Sequence, residues 1–163
     1  MRKDLRRRAG RAVATLLAVD GLFHLYWTTG LTWPAPDDRT LSLAVLGAEV
    51  PFTPRVLLPL VVLLSGGAAG VLVFTRGPSG RWVRRASALV ASGVAAGLLV
   101  RGLVGVVWIF SAPEGSGDTF QRLNLLLYTP VCLVFGAAAV VAVWPDRGIR
   151  RSLNRPSPGT AGA

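Results

Sequence analysis

The chain has 163 residues, with 52% apolar residues, 16% charged residues and a formal charge of +10. A soluble domain is usually about a quarter charged, so this apolar excess and this net charge conflict unless they are segregated along the chain. They are segregated: long apolar runs alternate with arginine-rich patches, which speaks against a soluble nucleic-acid binder with a basic, aromatic-studded stripe and for a polytopic membrane protein with basic loops.

Residues 1–11 form a basic tail carrying Arg2, Lys3, Arg6, Arg7, Arg8 and Arg11. The first apolar span covers 12–29. Asp20 follows directly on its apolar core, "AVATLLAV", and no A-x-A-like cleavage site appears, so it reads as a retained helix and not a signal peptide. The stretch "VDGLFHLYWTTG" at 19–30 holds Asp20 and the only histidine, His24. Their i,i+4 spacing puts both on one helix face, and Trp27 continues the stripe. Residues 31–54 contain an apolar piece, "LSLAVLG", too short to cross a bilayer; an interfacial segment, a cap on the bundle and a small hairpin all fit it. The second span covers 56–75. Its "GGAAG" reads as a helix-packing surface, because no G-K-[ST] follows to make a phosphate loop.

A connection "RGPSGRWVRR" supplies Arg76, Arg81, Arg84 and Arg85. The third span, 86–110, contains Arg101. Gly93, Gly97 and Gly105 recur with it every four residues, a small-residue pattern expected where helices approach closely. The fourth span, 123–144, opens with Asn124, Tyr128 and Thr129, and includes Cys132, the lone cysteine, which excludes an intrachain disulfide and reads as a small buried hydrophobe. Residues 146–163 end in "RPSPGTAGA" and read as a basic, disordered tail. The expected division is thus a tail at 1–11, a transmembrane domain at 12–145 and a tail at 146–163.

Each span has the roughly 18–25 residues a helix needs to cross a bilayer. Each must be helical, because an isolated strand leaves its backbone unpaired in lipid. The expected fold is all-α: four transmembrane helices in an antiparallel bundle, its short loops joining antiparallel neighbours. Arginine placement sets the orientation. Both tails and the middle connection hold the basic clusters, with Arg147, Arg150, Arg151 and Arg155 at the C-terminal end, against Arg39, Arg55 and Arg122 on the other side. Both termini are therefore expected in the cytoplasm. The near-absence of lysine beside abundant Ala, Gly and Val suggests a high-GC bacterial source, hence a bacterial cytoplasmic membrane. The expected partners are the lipid bilayer, anionic lipid headgroups at the arginine clusters, and a membrane partner subunit or a second copy; no nucleic acid is expected. The five tryptophans fall near span ends, as an aromatic belt would.

Counting about 1.5 Å per residue from the outer ends places Asp20 and Arg101 each roughly 15 Å deep, with His24 and Tyr128 each roughly 9 Å deep. An intramembrane charge costs at least about 2.5–3.5 kcal/mol and normally finds a partner. The expectation is an Asp20–Arg101 pair beneath a His24–Tyr128 layer. Asp20, His24, Trp27, Arg101, Asn124 and Tyr128 then form one polar cluster, either structural glue between helices or a site for an anionic or quinone-like ligand or a proton relay. One histidine supplies neither a zinc site nor two-histidine haem ligation within one chain, so no metal or cofactor is expected, and no catalytic-triad ordering, HExxH or nucleotide-binding fingerprint is present.

Two stretches carry a resemblance. "FHLYWTTG..WP" at 23–34 is one; "FQRLNLLLYTPVCLVFG" at 120–136, similar to F-x-R-L-D-x-x-L-Y-S-P-L-C-L, is the other. Together they resemble the domain of unknown function 3995 family of small bacterial membrane proteins, over roughly 12–144. The resemblance implies four helices in a membrane and directs attention to His24, Tyr128, Pro130 and Cys132. Asn124 stands where the pattern has Asp, Thr129 where it has Ser, and Leu31 where it has a second Gly; the first of these removes a carboxylate from the fourth helix. The family implies no activity. The leading functional reading is a non-enzymatic ligand-binding or accessory membrane subunit. The alternative is a membrane oxidoreductase or proton-coupled transporter using the Asp/His/Arg/Tyr cluster.

Overall fold

A computed structural model describes residues 2–111 and 115–144. Everything described is helix or connection: α1 (Arg2–Trp27), α2 (Asp38–Leu46), α3 (Pro54–Arg76), α4 (Arg81–Phe110), α5 (Asp118–Leu123) and α6 (Thr129–Val143), with a π-helical turn, Asn124–Tyr128, between the last two. The expected C-terminal tail, Glu114 and the C-terminal arginines lie outside the described residues.

Among the described residues, three helices are long and apolar enough to cross a bilayer: α3, α4, and the continuous rod Asp118–Val143 formed by α5, the π turn and α6. By length and apolarity the count is thus one fewer than the four spans expected. α1 has 26 residues, but Arg11, Asp20 and His24 dilute its apolar run. It also begins ten residues earlier than expected, because the basic tail is itself helical.

The four long elements form a ring in which α1 packs on α3 and α6, and α4 packs on the same two. On α1 the buried residues Val13, Ala14, Leu17, Gly21, His24 and Trp27 recur at helical spacing, the single inward stripe of an amphipathic helix. The main core joins Val13, Ala14 and Leu17 to Ala68 and Val71 of α3, Ala91 and Ala95 of α4, and Ala139 of α6. Small residues let these helices close on one another. A Cβ on Gly102 would meet Leu133 at 2.6 Å, and one on Gly136 would meet Leu99 at 2.8 Å, each with backbone behind it at 3.2 Å. These two glycines seam α4 to α6.

Gly93 and Gly97, expected where two helices approach closely, are both exposed and have open space where a Cβ would go. The reason is angular. A repeat of four on a helix of 3.6 residues per turn drifts about 40° per step, so Gly93 and Gly105 stand about 120° apart. Only Gly105 reaches the neighbouring helix. The real seam follows Ser87, Ala91, Ala95, Gly102 and Gly105.

Outward lies the apolar majority. Only 17–22% of the most apolar window of each span is buried within the molecule, and Val62, Leu63, Leu89, Phe110 and Leu126 stand largely exposed. Apolar surface of this extent is an aggregation hazard in water and an ordinary boundary in hydrocarbon.

The segment 31–54 is a cap, the second of the three conformations the sequence admits. The Asp37 carboxylate accepts from the Thr40 backbone N–H at 2.7 Å and so starts α2, as an N-cap does. Gly47 ends it at φ 71°, where a side chain is strained. A Cβ there would also lie 2.9 Å from the ring of Phe120, itself fully buried. A second core of Trp27, Leu41, Phe52 and Leu57 fills the space beneath the cap.

One end of the ring collects the cations. Gly10 lies against Thr75, and the Arg6 guanidinium reaches the Ala142 carbonyl at 3.2 Å and covers the Phe74 ring. The start of α1 therefore meets the ends of α3 and α6, and the turn from Arg76 to Arg81 lies at the same end.

Candidate functional site

The expected polar cluster resolves into two groups. The first stands on α1. His24 Nδ1 is 2.8 Å from the Asp20 carbonyl oxygen and 3.3 Å from its carboxylate Oδ1. A carbonyl only accepts, so Nδ1 carries the proton and donates, which fixes the ring's tautomer and leaves Nε2 as the acceptor. Nε2 has no protein partner among the described residues. Trp27 closes one side of the ring edge-on, at 5.0 Å between centroids. Its own indole N–H donates to the Trp33 carbonyl at 3.1 Å, and Phe52 meets it edge-on at 5.7 Å. His24 is thus held by its own helix and by the cap, with 10% of its side chain exposed while the Asp20 side chain is 50% exposed.

The second group joins α4 to the π turn. Asn124, 1% exposed, is its hub. Its Nδ2 donates to the Gly105 carbonyl at 2.8 Å; its Oδ1 accepts from Arg101 Nη1 at 3.3 Å and from the Thr129 hydroxyl at 3.2 Å. The Arg101 guanidinium also lies 5.2 Å from the Trp108 ring centroid and 5.7 Å from that of Tyr128, within the range of cation–π attraction. The Tyr128 hydroxyl leaves this group and donates to the Ala44 carbonyl of the cap at 3.2 Å.

The π turn makes the hub. Pro130 has no N–H to return to the preceding turn, and the helix meets this by widening, so that the Thr129 N–H bonds to the Asn124 carbonyl five residues back. Asn124 and Thr129 thereby share a face. Such widened turns occur mostly as single insertions and often at functional sites.

Among the described residues no ion pair joins Asp20 to Arg101. Asp20 has taken His24, and Arg101 has taken Asn124. The expected His24–Tyr128 layer has no hydrogen bond either, since the phenol turns to the cap. Trp108, Thr129 and the Ala44 carbonyl complete these groups without having been counted in the expected cluster. Only Thr129, noted beside Tyr128, left a signal in the sequence. Among the described residues no three His, Cys, Asp or Glu side chains stand together as a metal site would require.

A family model described as "Protein of unknown function (DUF3995)" matches residues 4–139, and the chain belongs to that family. No match was found among curated proteins or among solved structures.

Proposed function

We propose that this member of the DUF3995 family is a non-enzymatic integral membrane protein that crosses a bacterial cytoplasmic membrane four times, both termini inside, and holds a small amphiphilic ligand between α1 and the α4–α6 seam. The fourth crossing is α1. It is about 39 Å long by helical rise, runs beside α3 and α6, and supplies core residues to both. A helix packed along spanning neighbours crosses with them. Its polar residues are tolerable there because His24 is buried and bonded to Asp20.

The observation that carries the ligand reading is the open His24 Nε2. An imidazole acceptor fixed in orientation by Asp20, in an otherwise apolar stretch of α1, is suited to accept a hydrogen bond from a ligand hydroxyl. Arg101, whose hydrogen-bond acceptor Asn124 is neutral, offers the complementary donor to a carbonyl or an anionic head. A quinone-like headgroup has this donor and acceptor chemistry. The same dyad favours a second reading, proton transfer through His24, since Nε2 accepts a proton while the Asp20 carboxylate stabilises the resulting cation.

Native mass spectrometry after gentle detergent extraction tests the first reading. The wild type should release a small lipophilic molecule, and His24→Gln should lose it while remaining folded and abundant. A wild type that carries no such molecule, or a His24→Gln protein that retains it in full, refutes the reading. Proton flux in proteoliposomes, abolished by His24→Gln without an accompanying ligand, would favour the second.

A further inference from the structure

The arginines at the cationic end are not equivalent. Arg6 is consumed in the fold by the Ala142 carbonyl and the Phe74 ring. Arg81 and Arg85 instead converge on one indole, with guanidinium carbons 5.7 and 5.8 Å from the centroid of Trp82. That ring is 73% exposed, and both arginines are exposed. The first turn of α4 contains no acid to neutralise them. Two cations thus stand at one outward-facing aromatic, where the third span emerges.

We propose that Arg81, Trp82 and Arg85 form a binding site for an acidic phospholipid of the leaflet at that end, with the phosphate diester held between the two guanidiniums and the indole seated at headgroup depth. A guanidinium stacked on a ring keeps its N–H edges free, and those edges match phosphate oxygens in a plane. Stacking restricts the long side chains beforehand, so less freedom is lost when the phosphate binds. An indole is amphipathic and settles at the boundary between acyl chains and headgroups, the depth at which a lipid phosphate is found. Lipid is favoured over a soluble anion because the ring opens outward, continuous with the exposed apolar surface of α4 at Leu89. Arg84 serves as an internal comparison. It is exposed in the same turn but makes no stacking contact with Trp82, so it adds charge without belonging to the clamp.

The full chain is reconstituted in bilayers of phosphatidylcholine and phosphatidylglycerol, released gently, and its retained lipids are counted by native mass spectrometry. The wild type should retain phosphatidylglycerol beyond its share of the bilayer. Arg81→Gln and Arg85→Gln should each weaken retention about tenfold or more, the fold-change expected for losing a hydrogen bond to a charged group. Trp82→Ala should do likewise, Trp82→Phe should preserve most of the binding, and Arg84→Gln should change it by no more than about fivefold, the effect of one basic residue near an anionic surface. Absence of any preference in the wild type overturns the proposal. So does an Arg84→Gln loss equal to that of Arg85→Gln, which would mean diffuse charge without a site. Displacement of the lipid by millimolar inorganic phosphate would assign the site to a soluble anion and overturn it as well.

Discussion

Asn124→Ala is the sharpest perturbation of the polar group that joins α4 to the π turn. It removes three hydrogen bonds at once, to Gly105, Arg101 and Thr129, from a residue that is 1% exposed. Hydrogen bonds within membranes average about 0.6 kcal/mol each, which gives about 2 kcal/mol for the three. The Gly105 carbonyl then faces the seam with no side-chain donor and Arg101 loses its acceptor. An abandoned buried polar group costs about 1–3 kcal/mol, so the total should fall near 2–4 kcal/mol after overlap between the two accounts. Reversible unfolding in mixed micelles, followed by far-ultraviolet circular dichroism, measures it. Thr129→Val in the same background should be less than additive by about 0.6 kcal/mol, because the bond it removes is already gone. A cost for Asn124→Ala below about 0.5 kcal/mol, less than one such bond, or full additivity with Thr129→Val, would refute the account of Asn124 as hub.

Glycine substitutions should split by position. Gly102→Ala and Gly136→Ala overpack the α4–α6 seam and should cost about 1–3 kcal/mol. Gly93→Ala and Gly97→Ala meet open space and should be neutral or stabilising by up to about 1 kcal/mol; the same micelle unfolding reads all four, and equal costs would disprove the seam. The Asp37 cap predicts a pH response confined to α2. Its hydrogen bonds with Thr40 hold the carboxyl below its ordinary value, so this stabilisation is fully present above the unfolded value of about 3.9 and is lost as pH falls through the lower folded value. Hydrogen exchange of α2 should therefore accelerate on acidification through that window, and Asp37→Asn, which caps without titrating, should suppress the acceleration. For topology, single cysteines are placed in a Cys132→Ser background at two exposed positions. Ser79→Cys should react only with reagents admitted to the cytoplasm and Asp38→Cys only with external reagent; reversed labelling would invert the orientation proposed above.

What the sequence made legible were the features that run along an axis. Apolar length located α3, α4 and the α5–α6 rod to within a few residues, and i,i+4 spacing brought Asp20 to His24. Features that depend on rotation about an axis were not legible. Equal depth suggested that Asp20 faces Arg101, but depth does not fix which way a side chain points, and each charge found a nearer partner. The Gly93–Gly97 stripe failed for the same reason, since a fourfold count ignores the drift of the helix. The cap at α2 was one of three open alternatives, because a short segment of mixed polarity does not choose between an interface and a bundle end. Once folded, its place is set by Phe120 against Gly47 and by the Tyr128 hydroxyl on Ala44, contacts whose partners lie far apart in the chain.

The widened turn at Asn124–Tyr128 also changes how length variation acts on this rod. On a regular α-helix, positions five apart are rotated about 140° from one another, so Asn124 and Thr129 would face different neighbours. Shortening this turn by one residue would return the rod to the α-helical count, with Pro130 as its one interruption, and would leave every downstream residue able to bury its apolar face. Elsewhere in a spanning helix a deletion throws all later side chains out of alignment. Here it would be absorbed, and what disappears is the meeting of Asn124 with Thr129 and the seat they provide for Arg101. The rod thus holds a spare residue whose removal would uncouple the polar group at Asn124 from the packing of the rest of the rod.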